Sequence, residues 1–181
     1  MFLHQIMFFL PFTTRLHFYK TFILLHFDYC ISLFVYMNKT LIDKISKVYN
    51  FSIYMMLGIS LHLLDDNQQF NVLKPINLFP FKFRLLYRFS LFSYKILNKT
   101  ILTNIYQRLK FRSYDRSLRN ISVLNIFVCK TSCGYKRLTY FLSKFVNKIV
   151  KFSFQLEVKD FKNFILTNLI NFYEQFNKLL Y

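Results

Sequence analysis

Apolar residues recur at helical intervals along most of this chain. Residues 13–36 are apolar nearly all round, a pattern that predicts a buried helix rather than an amphipathic one. Residues 39–58 predict a second helix, because side chains three or four residues apart share one face. The residues at those intervals are Leu41, Ile45, Val48, Ser52 and Met56. Lys39, Lys44 and Lys47 give the second helix a basic side.

Capping residues indicate where the second helix begins and ends. Thr40 and Asp43 have the spacing of a capping box, which satisfies backbone donors at a helix start. Gly58 suits a left-handed C-cap, since glycine takes that conformation without a Cβ clash. Residues 65–69 are polar and predict a loop or the start of a short helix.

Further helices are expected in the rest of the chain. Pro75 and Pro80 keep the stretch between them extended or turned, because the residue before a proline avoids helical backbone. A third helix is predicted over residues 81–97 and a short one over residues 100–109. Residues 160–180 predict an amphipathic helix. The residues near its apolar face are Phe161, Phe164, Ile165, Asn168, Phe172, Phe176 and Leu179.

The segment before that last helix has a different pattern. Residues 110–120 are the densest positive stretch of the chain. Two β-prone runs, 121–128 and 135–142, flank a turn, so the pattern allows a short β-hairpin near 121–142. We therefore expect a mainly α fold, a helical single domain with that hairpin. The expected organisation is a helical region 1–110, a basic loop and hairpin 111–157, and a C-terminal amphipathic helix 158–181.

Composition narrows the function classes. The 181 residues are 54% apolar, enough for one domain that buries about two-thirds of its unfolded surface. The net charge of +17 attracts polyanions, because each neutralised phosphate releases condensed counterions. Nucleic acid is therefore the leading partner class. An A+T-rich coding sequence would also raise the lysine content, and the charges would then be only a solvated surface.

Membrane insertion and metal binding are not expected from the sequence. Residues 18–37 are long enough to span a bilayer, but Asp28 near the middle would cost roughly 2.5–3.5 kcal/mol. The three cysteines, Cys30, Cys129 and Cys133, are too few and odd in number for a closed disulfide framework, which agrees with a reducing compartment. Cys129 and Cys133 lack two further zinc ligands nearby.

Four segments follow one another in a familiar order. They are HFDYC at 26–30, KTLIDKISKVYNFSIYMMLG at 39–58, INLFPF at 76–81 and FSYKILNK at 92–99. Each is ordinary alone, but their order and spacing resemble the region that follows the polymerase domain in reverse transcriptases of non-LTR (LINE-like, jockey-like) retrotransposons. The resemblance covers roughly residues 12–180, and its specificity lies in the shared order.

The first segment matches that family at several positions. His26, Tyr29 and Cys30 correspond to the family's Pro-His-x-x-Tyr-Cys element. Leu25 stands at the proline position and Phe34 at the position of a following tryptophan. These departures indicate a divergent copy.

The later segments match in the same order. In the second, Tyr49 replaces a family glutamine, and the matching residues are Leu41, Ile45, Val48, Asn50, Leu57 and Gly58. Residues 78–81 are similar to the family's Leu-Pro-Leu element, and Arg84 to the arginine after it. The Tyr94-Lys95 pair matches too. Looser similarity continues through residues 114–120, 134–147 and 161–180.

The resemblance raises the question of polymerase catalysis. Polymerases hold two Mg²⁺ ions with clustered carboxylates. Residues 63–66 imitate the x-x-Asp-Asp turn of the family, and Asp28 imitates the upstream aspartate. In the family many tens of residues separate these elements, whereas Asp28 and Asp65 are 37 residues apart. We expect no catalytic residue, no metal site and no cofactor, since Mg²⁺ would belong to the missing polymerase domain.

The resemblance therefore implies a non-catalytic C-terminal fragment of an RNA-directed DNA polymerase. Such a fragment would pack against the missing polymerase domain and hold the phosphate backbone of RNA or DNA, in the nucleus or cytoplasm. No small-molecule substrate is expected. The residues predicted to contact phosphates are Arg112, Arg116, Arg119, Lys130, Lys136 and Arg137. The alternative is a free-standing small basic protein from an A+T-rich genome, either organellar and ribosomal-like or membrane-associated.

Overall fold

The structure is a computed structural model built mainly from helices. It describes residues 9–29, 31–34, 37–109, 111, 124–126, 138–150 and 153–180. Helices make up most of these ranges, so the predicted mainly α fold is confirmed. Contacts between Cα atoms divide the chain into two compact units, Met1–Leu85 and Leu86–Tyr181. Each unit has its own buried core.

The first unit begins with a series of short helical elements. The predicted continuous helix over residues 13–36 is wrong, because Tyr29 has an extended backbone (ψ 122°) that ends a helix there. The elements are α1 (Phe12–Phe18), a π-helical turn (Tyr19–Ile23), α2 (Leu24–Asp28) and α3 (Ile31–Phe34).

Burial along these first elements is one-sided. Tyr19, Leu24 and Ile31 lie in the core, whereas Phe22 and Leu25 are each 60% exposed. The expectation that this region is buried all round is therefore wrong for the side that carries Phe22 and Leu25.

Helix α4 (Lys39–Leu57) is the longest element of the first unit. Its N-cap is Asn38, which makes no side-chain capping bond, so the predicted capping box at Thr40 and Asp43 is wrong. Thr40 already lies inside the helix and cannot flank it. At the other end Gly58 has φ 72° and donates its N–H to the Tyr54 carbonyl at 2.9 Å, which confirms the left-handed C-cap.

A capping box is present one helix later. Asp65 is the N-cap of α5 (Asp66–Leu73), and its Oδ1 accepts the Gln68 N–H at 2.8 Å. The Gln68 side chain accepts the Asp65 N–H at 3.1 Å in return. A 3₁₀ turn (Lys74–Ile76) follows, and Asn77 takes a left-handed conformation after it.

Aromatic rings form the centre of the first unit. Tyr19, Tyr49 and Phe81 are fully buried. The Phe27 ring meets the Tyr49 ring edge-on with centroids 5.1 Å apart, and the Tyr49 and Phe81 centroids are 5.8 Å apart. Such contacts contribute about 0.5–1.5 kcal/mol each beyond the area that they bury.

Helix α6 (Phe81–Leu97) begins directly after Pro80, as the sequence predicts. The division between the units falls within it, so its first turn belongs to the first unit. Later in the helix Ser90 and Ser93 are fully buried, and each donates to the carbonyl four residues earlier, at 2.8 and 2.7 Å. These bonds satisfy hydroxyls that would otherwise be costly to bury.

The second unit contains the C-terminal helices. Its core brings Phe89 against Phe145, with ring centroids 4.8 Å apart, and Tyr94 against Phe161 at 4.5 Å. The Tyr94 hydroxyl donates to the Leu156 carbonyl at 2.8 Å. The elements are α7 (Thr103–Arg108), α8 (Leu138–Phe145) with a π-helical extension (Val146–Val150), a 3₁₀ turn (Ser153–Gln155), α9 (Val158–Thr167) and α10 (Leu169–Leu180).

The C-terminal helix predicted over residues 160–180 is two helices. Asn168 separates α9 from α10 with φ −102° and ψ 10°, and its side-chain amide donates to the Phe164 carbonyl at 2.9 Å. Phe161, Ile165, Leu169 and Phe176 are buried, so the amphipathic pattern itself is correct.

The predicted β-hairpin is wrong in its second half. Residues 138–142 belong to α8, because apolar side chains continue at helical spacing beyond them. The members of that spacing are Leu138, Phe141, Leu142, Phe145, Val146 and Ile149. Leu124 instead forms an isolated antiparallel bridge with Phe111. Residues 121–123 and 127–137 of the predicted hairpin lie outside the described residues.

Candidate nucleic-acid interface

The six residues predicted to contact phosphates lie outside the described residues. They are Arg112, Arg116, Arg119, Lys130, Lys136 and Arg137. Phe111 and Leu124 flank the first three and are bridged to each other. That these six residues contact phosphates therefore stays a prediction. Other basic residues lie in the part of the chain that the structure describes.

Asp28 and Arg84 form a buried ion pair in the first unit. The guanidinium donates twice to the carboxylate, from Nε to Oδ1 at 2.6 Å and from Nη2 to Oδ2 at 2.5 Å. The side chains are 13% and 9% exposed, respectively. This is the bidentate geometry in which a planar guanidinium and a carboxylate form two parallel hydrogen bonds, so both charges are compensated inside the unit.

The other acidic groups of the first unit are also engaged. Lys82 Nζ lies 3.4 Å from Asp43 Oδ1 and 3.3 Å from Asp66 Oδ2. Burial alone would lower the pKa of Lys82, but the Asp66 and Asp43 carboxylates outweigh it and raise that pKa. Asp65 caps α5. All four acidic residues before residue 86 therefore contact a cation or a backbone N–H within their own unit.

Asp28 and the Asp65-Asp66 pair resemble polymerase aspartates in sequence, but each has a structural partner within the unit. Asp28 lies at the end of α2 and faces Arg84, while Asp65 and Asp66 begin α5 and face Gln68 and Lys82. The Asp65-Asp66 pair is thus a helix start, not a hairpin turn. Among the described residues, no group of three histidine, cysteine, aspartate or glutamate side chains is close enough to hold a metal ion.

Exposed cations are spread over both units. On α4 the predicted basic side is present, with Lys39, Lys44 and Lys47 all exposed. The other exposed cations of the described ranges are Lys74, Lys95, Lys99, Arg108, Lys148, Lys159, Lys162 and Lys178. Three exposed lysines against one acidic residue, Asp43, leave α4 with a net positive charge.

Two buried tyrosines link elements that the sequence pattern does not connect. The Tyr49 hydroxyl donates to the Phe79 carbonyl at 2.8 Å, and the Tyr19 hydroxyl lies 3.3 Å from Ser52 Oγ. Burial raises the pKa of Tyr19 to about 12 and the pKa of Tyr49 well above its usual value. Nothing in the local sequence distinguishes these tyrosines from the exposed ones.

Three of the four segments that carry the resemblance contact one another. Asp28 of the first pairs with Arg84 just after the third, and Phe27 packs against Tyr49 of the second. Tyr49 bonds in turn to Phe79 of the third. These contacts are made largely by residues that do not match the family's elements, since Phe27 and Asp28 lie between matching positions and Tyr49 stands in place of a family glutamine.

Comparison with protein-family models, with curated proteins and with solved structures gives no match. In the part of the chain that the structure describes, no helix has both the length and the apolar character needed to cross a bilayer.

Proposed function

We propose that this chain is a non-catalytic, helical nucleic-acid-binding module from the post-polymerase region of a non-LTR retrotransposon reverse transcriptase. The proposed nucleic-acid binding is supported by the distribution of charge in the first unit. Its four carboxylates are all engaged internally, while Lys39, Lys44 and Lys47 lie exposed along α4. A surface with an excess of positive charge attracts a phosphate backbone without reading its sequence.

The lineage part rests on the order of the four segments along the chain and on the residues that match within them, such as His26, Tyr29 and Cys30 in the first. The direct test is the DNA upstream of the coding sequence. A polymerase reading frame there, in frame or shifted, supports this origin, and an isolated conserved frame contradicts it.

A missing polymerase domain would need a surface to pack against. Phe22, Leu25 and Tyr29 offer one, since they are 60%, 60% and 78% exposed on consecutive elements of the first unit. Apolar side chains exposed close together are typical of interaction sites. We therefore place the contact with the polymerase domain on this side of α2.

The test of binding is a titration of labelled single-stranded RNA and DNA with the full chain at several salt concentrations. The logarithm of the affinity should fall linearly with the logarithm of salt, by about 0.7–0.9 per phosphate contacted. Affinity that does not change with salt contradicts the proposal.

Variants locate the contacts. Lys44→Gln with Lys47→Gln removes two exposed charges from α4, and we expect the salt slope to become shallower by about 1 to 2. Lys159→Gln with Lys162→Gln removes the same charge from α9 and is the matched control. The six basic residues from Arg112 to Arg137 are tested in the same way by alanine substitution.

A further inference from the structure

A groove opens beside the basic side of α4. Its volume is about 810 Å³, within the range of sites that hold small organic groups. One wall is a stripe of α4 with residues three or four positions apart, and the other comes from the turn after Gly58 and from α5. The lining residues are Asp43, Ser46, Lys47, Asn50, Phe51, Tyr54, Ser60, Leu61, His62 and Gln69.

The α4 wall presents two aromatic rings to solvent. Phe51 is 61% exposed and Tyr54 49% exposed, whereas Tyr49 on the same helix is fully buried. Residues at positions i and i+3 lie on one helix face, so both rings line the same groove. Nucleic-acid bases stack on such rings because every base has a flat π face.

A fixed amide lies at the base of the groove. Gln69 is 93% buried, and its Nε2 donates to the carbonyls of Leu61 and Leu64 at 3.0 and 2.9 Å. Its Oε1 therefore points as an acceptor toward Asn50 Nδ2, at 3.4 Å. This fixes the orientation of the Asn50 amide and leaves its Oδ1 without a donor among the described residues.

Asn50 adds a polar group to the α4 wall of the groove. Its side chain is half-buried and donates to Gln69 Oε1 at 3.4 Å, while its Oδ1 is covered. The exposed groups that the α4 wall offers to a base are therefore the rings of Phe51 and Tyr54.

Charge at the edge of the groove favours a phosphate-bearing ligand. Lys47 lines the groove and is exposed, and Lys44 precedes it on the same helix. Asp43 also lines the groove, but Lys82 lies 3.4 Å from its carboxylate and offsets its charge. On the opposite wall, His62 Nδ1 is 2.8 Å from Ser60 Oγ.

We propose that this groove binds an unpaired base of single-stranded RNA or DNA, stacked on Phe51 or Tyr54, with the neighbouring phosphate at Lys47. The inference rests on the proposed nucleic-acid binding and adds to it a preference for unpaired bases. A base in a duplex must first be unstacked and unpaired, at a cost in free energy, before it can enter the groove, so a duplex should bind more weakly.

The test compares three labelled ligands of equal length: a single strand, a single strand with abasic sites, and a duplex. Fluorescence anisotropy with the full chain should give about tenfold tighter binding to the single strand than to the abasic strand. Phe51→Leu with Tyr54→Leu should abolish that difference and leave affinity for the abasic strand unchanged. Equal affinity of the unmodified chain for the two strands overturns the inference.

Two further variants make the result specific to the groove. Phe51→Tyr keeps an aromatic ring and should keep the preference, whereas Phe22→Leu alters an equally exposed ring outside the groove and should have no effect. A loss of preference in Phe22→Leu contradicts the assignment. Absence of salt-dependent binding to all three ligands contradicts the proposed function itself, while salt-dependent binding without a base preference contradicts only the groove. The affinities for abasic strands with ribose and with deoxyribose backbones show whether the chain prefers RNA or DNA.

Discussion

Asp28 and Arg84 face each other with two parallel hydrogen bonds, although 56 residues separate them in the chain. The pair fixes the end of α2 against the first turn of α6, both within the first unit. Because both side chains are at least 87% buried, water screens the pair poorly.

Removal of one partner of this pair should be costly. Arg84→Met removes both hydrogen bonds that the guanidinium donates to the buried Asp28 carboxylate, and we expect the free energy of unfolding to fall by about 3–5 kcal/mol. The double variant with Asp28→Leu should recover much of that loss, since neither charge is then buried alone. Urea denaturation monitored by circular dichroism measures both changes.

Lys82→Met is the matched control for that prediction. Its partners Asp43 and Asp66 are 40% and 29% exposed, so solvent screens both pairs and we expect a loss of no more than about 1 kcal/mol. A loss for Arg84→Met that does not exceed the loss for Lys82→Met would show that the buried pair has no special importance.

Substitution at Gly58 should destabilise through the backbone alone. A Cβ added there meets no atom within 4 Å, but the φ of 72° is strained for any residue with a side chain. Gly58→Ala should therefore cost about 1–2 kcal/mol. Gly58→Asn should cost less, because asparagine tolerates the left-handed region. Thermal denaturation ranks the three proteins, and an alanine variant as stable as the parent would refute the C-cap interpretation.

The cap of α5 predicts a local loss of stability. Asp65→Ala removes the acceptor of the Gln68 N–H, and we expect a cost of about 1 kcal/mol. Asp65→Asn keeps an acceptor and should be nearly neutral. Asn67→Ala, in the exposed first turn of the same helix, is the control. Hydrogen exchange of the α5 amides shows whether the loss is local, as a cap requires.

The buried tyrosines predict an alkaline transition. Burial raises the pKa of Tyr19 to about 12, above its value in the unfolded chain. A raised pKa stabilises the fold fully below the unfolded pKa of about 10, and that contribution is lost as pH rises toward the folded pKa. The same sign applies to Tyr49.

Absorbance of tyrosinate during a pH titration measures this directly. Tyr19→Phe and Tyr49→Phe should each remove one phenol with a raised pKa. The free energy of unfolding should then fall less steeply above a pH of about 10. Tyr29→Phe removes a hydroxyl from a 78% exposed residue and controls for the substitution itself. Curves for Tyr19→Phe and the parent that coincide at high pH would contradict the burial effect.

Local signals in the sequence predicted much of the helical fold. Pro80 before an apolar periodic run gave the start of α6, and Gly58 gave the end of α4, since both residues act on their own backbone. The strand prediction for residues 138–142 is wrong because a short run in which four of five residues are apolar or aromatic fits both the strand and the helix period. Only the continuation to Ile149 makes the helical period evident.

Contacts between distant residues could not be predicted in this way. Asp28 is visible in the sequence as a charge within an apolar stretch, but its partner Arg84 belongs to another helix, 56 residues later. The same is true of the groove, where Phe51 and Gln69 line one cavity because the turn after Gly58 brings α5 back beside α4. Periodicity assigns residues to faces, and tertiary packing decides which faces meet.

Asn147 contacts Leu124 as a neighbouring strand would. Its amide oxygen accepts the Leu124 N–H at 2.9 Å and its amide nitrogen donates to the Leu124 carbonyl at 2.8 Å, while Leu124 also bridges to Phe111. Phe111 and Leu124 thus meet although twelve residues separate them in the sequence. For a flexible chain, each doubling of the length between two contacting residues costs only about 0.6 kcal/mol. The contact between Phe111 and Leu124 should therefore tolerate insertions and deletions between these two residues during evolution.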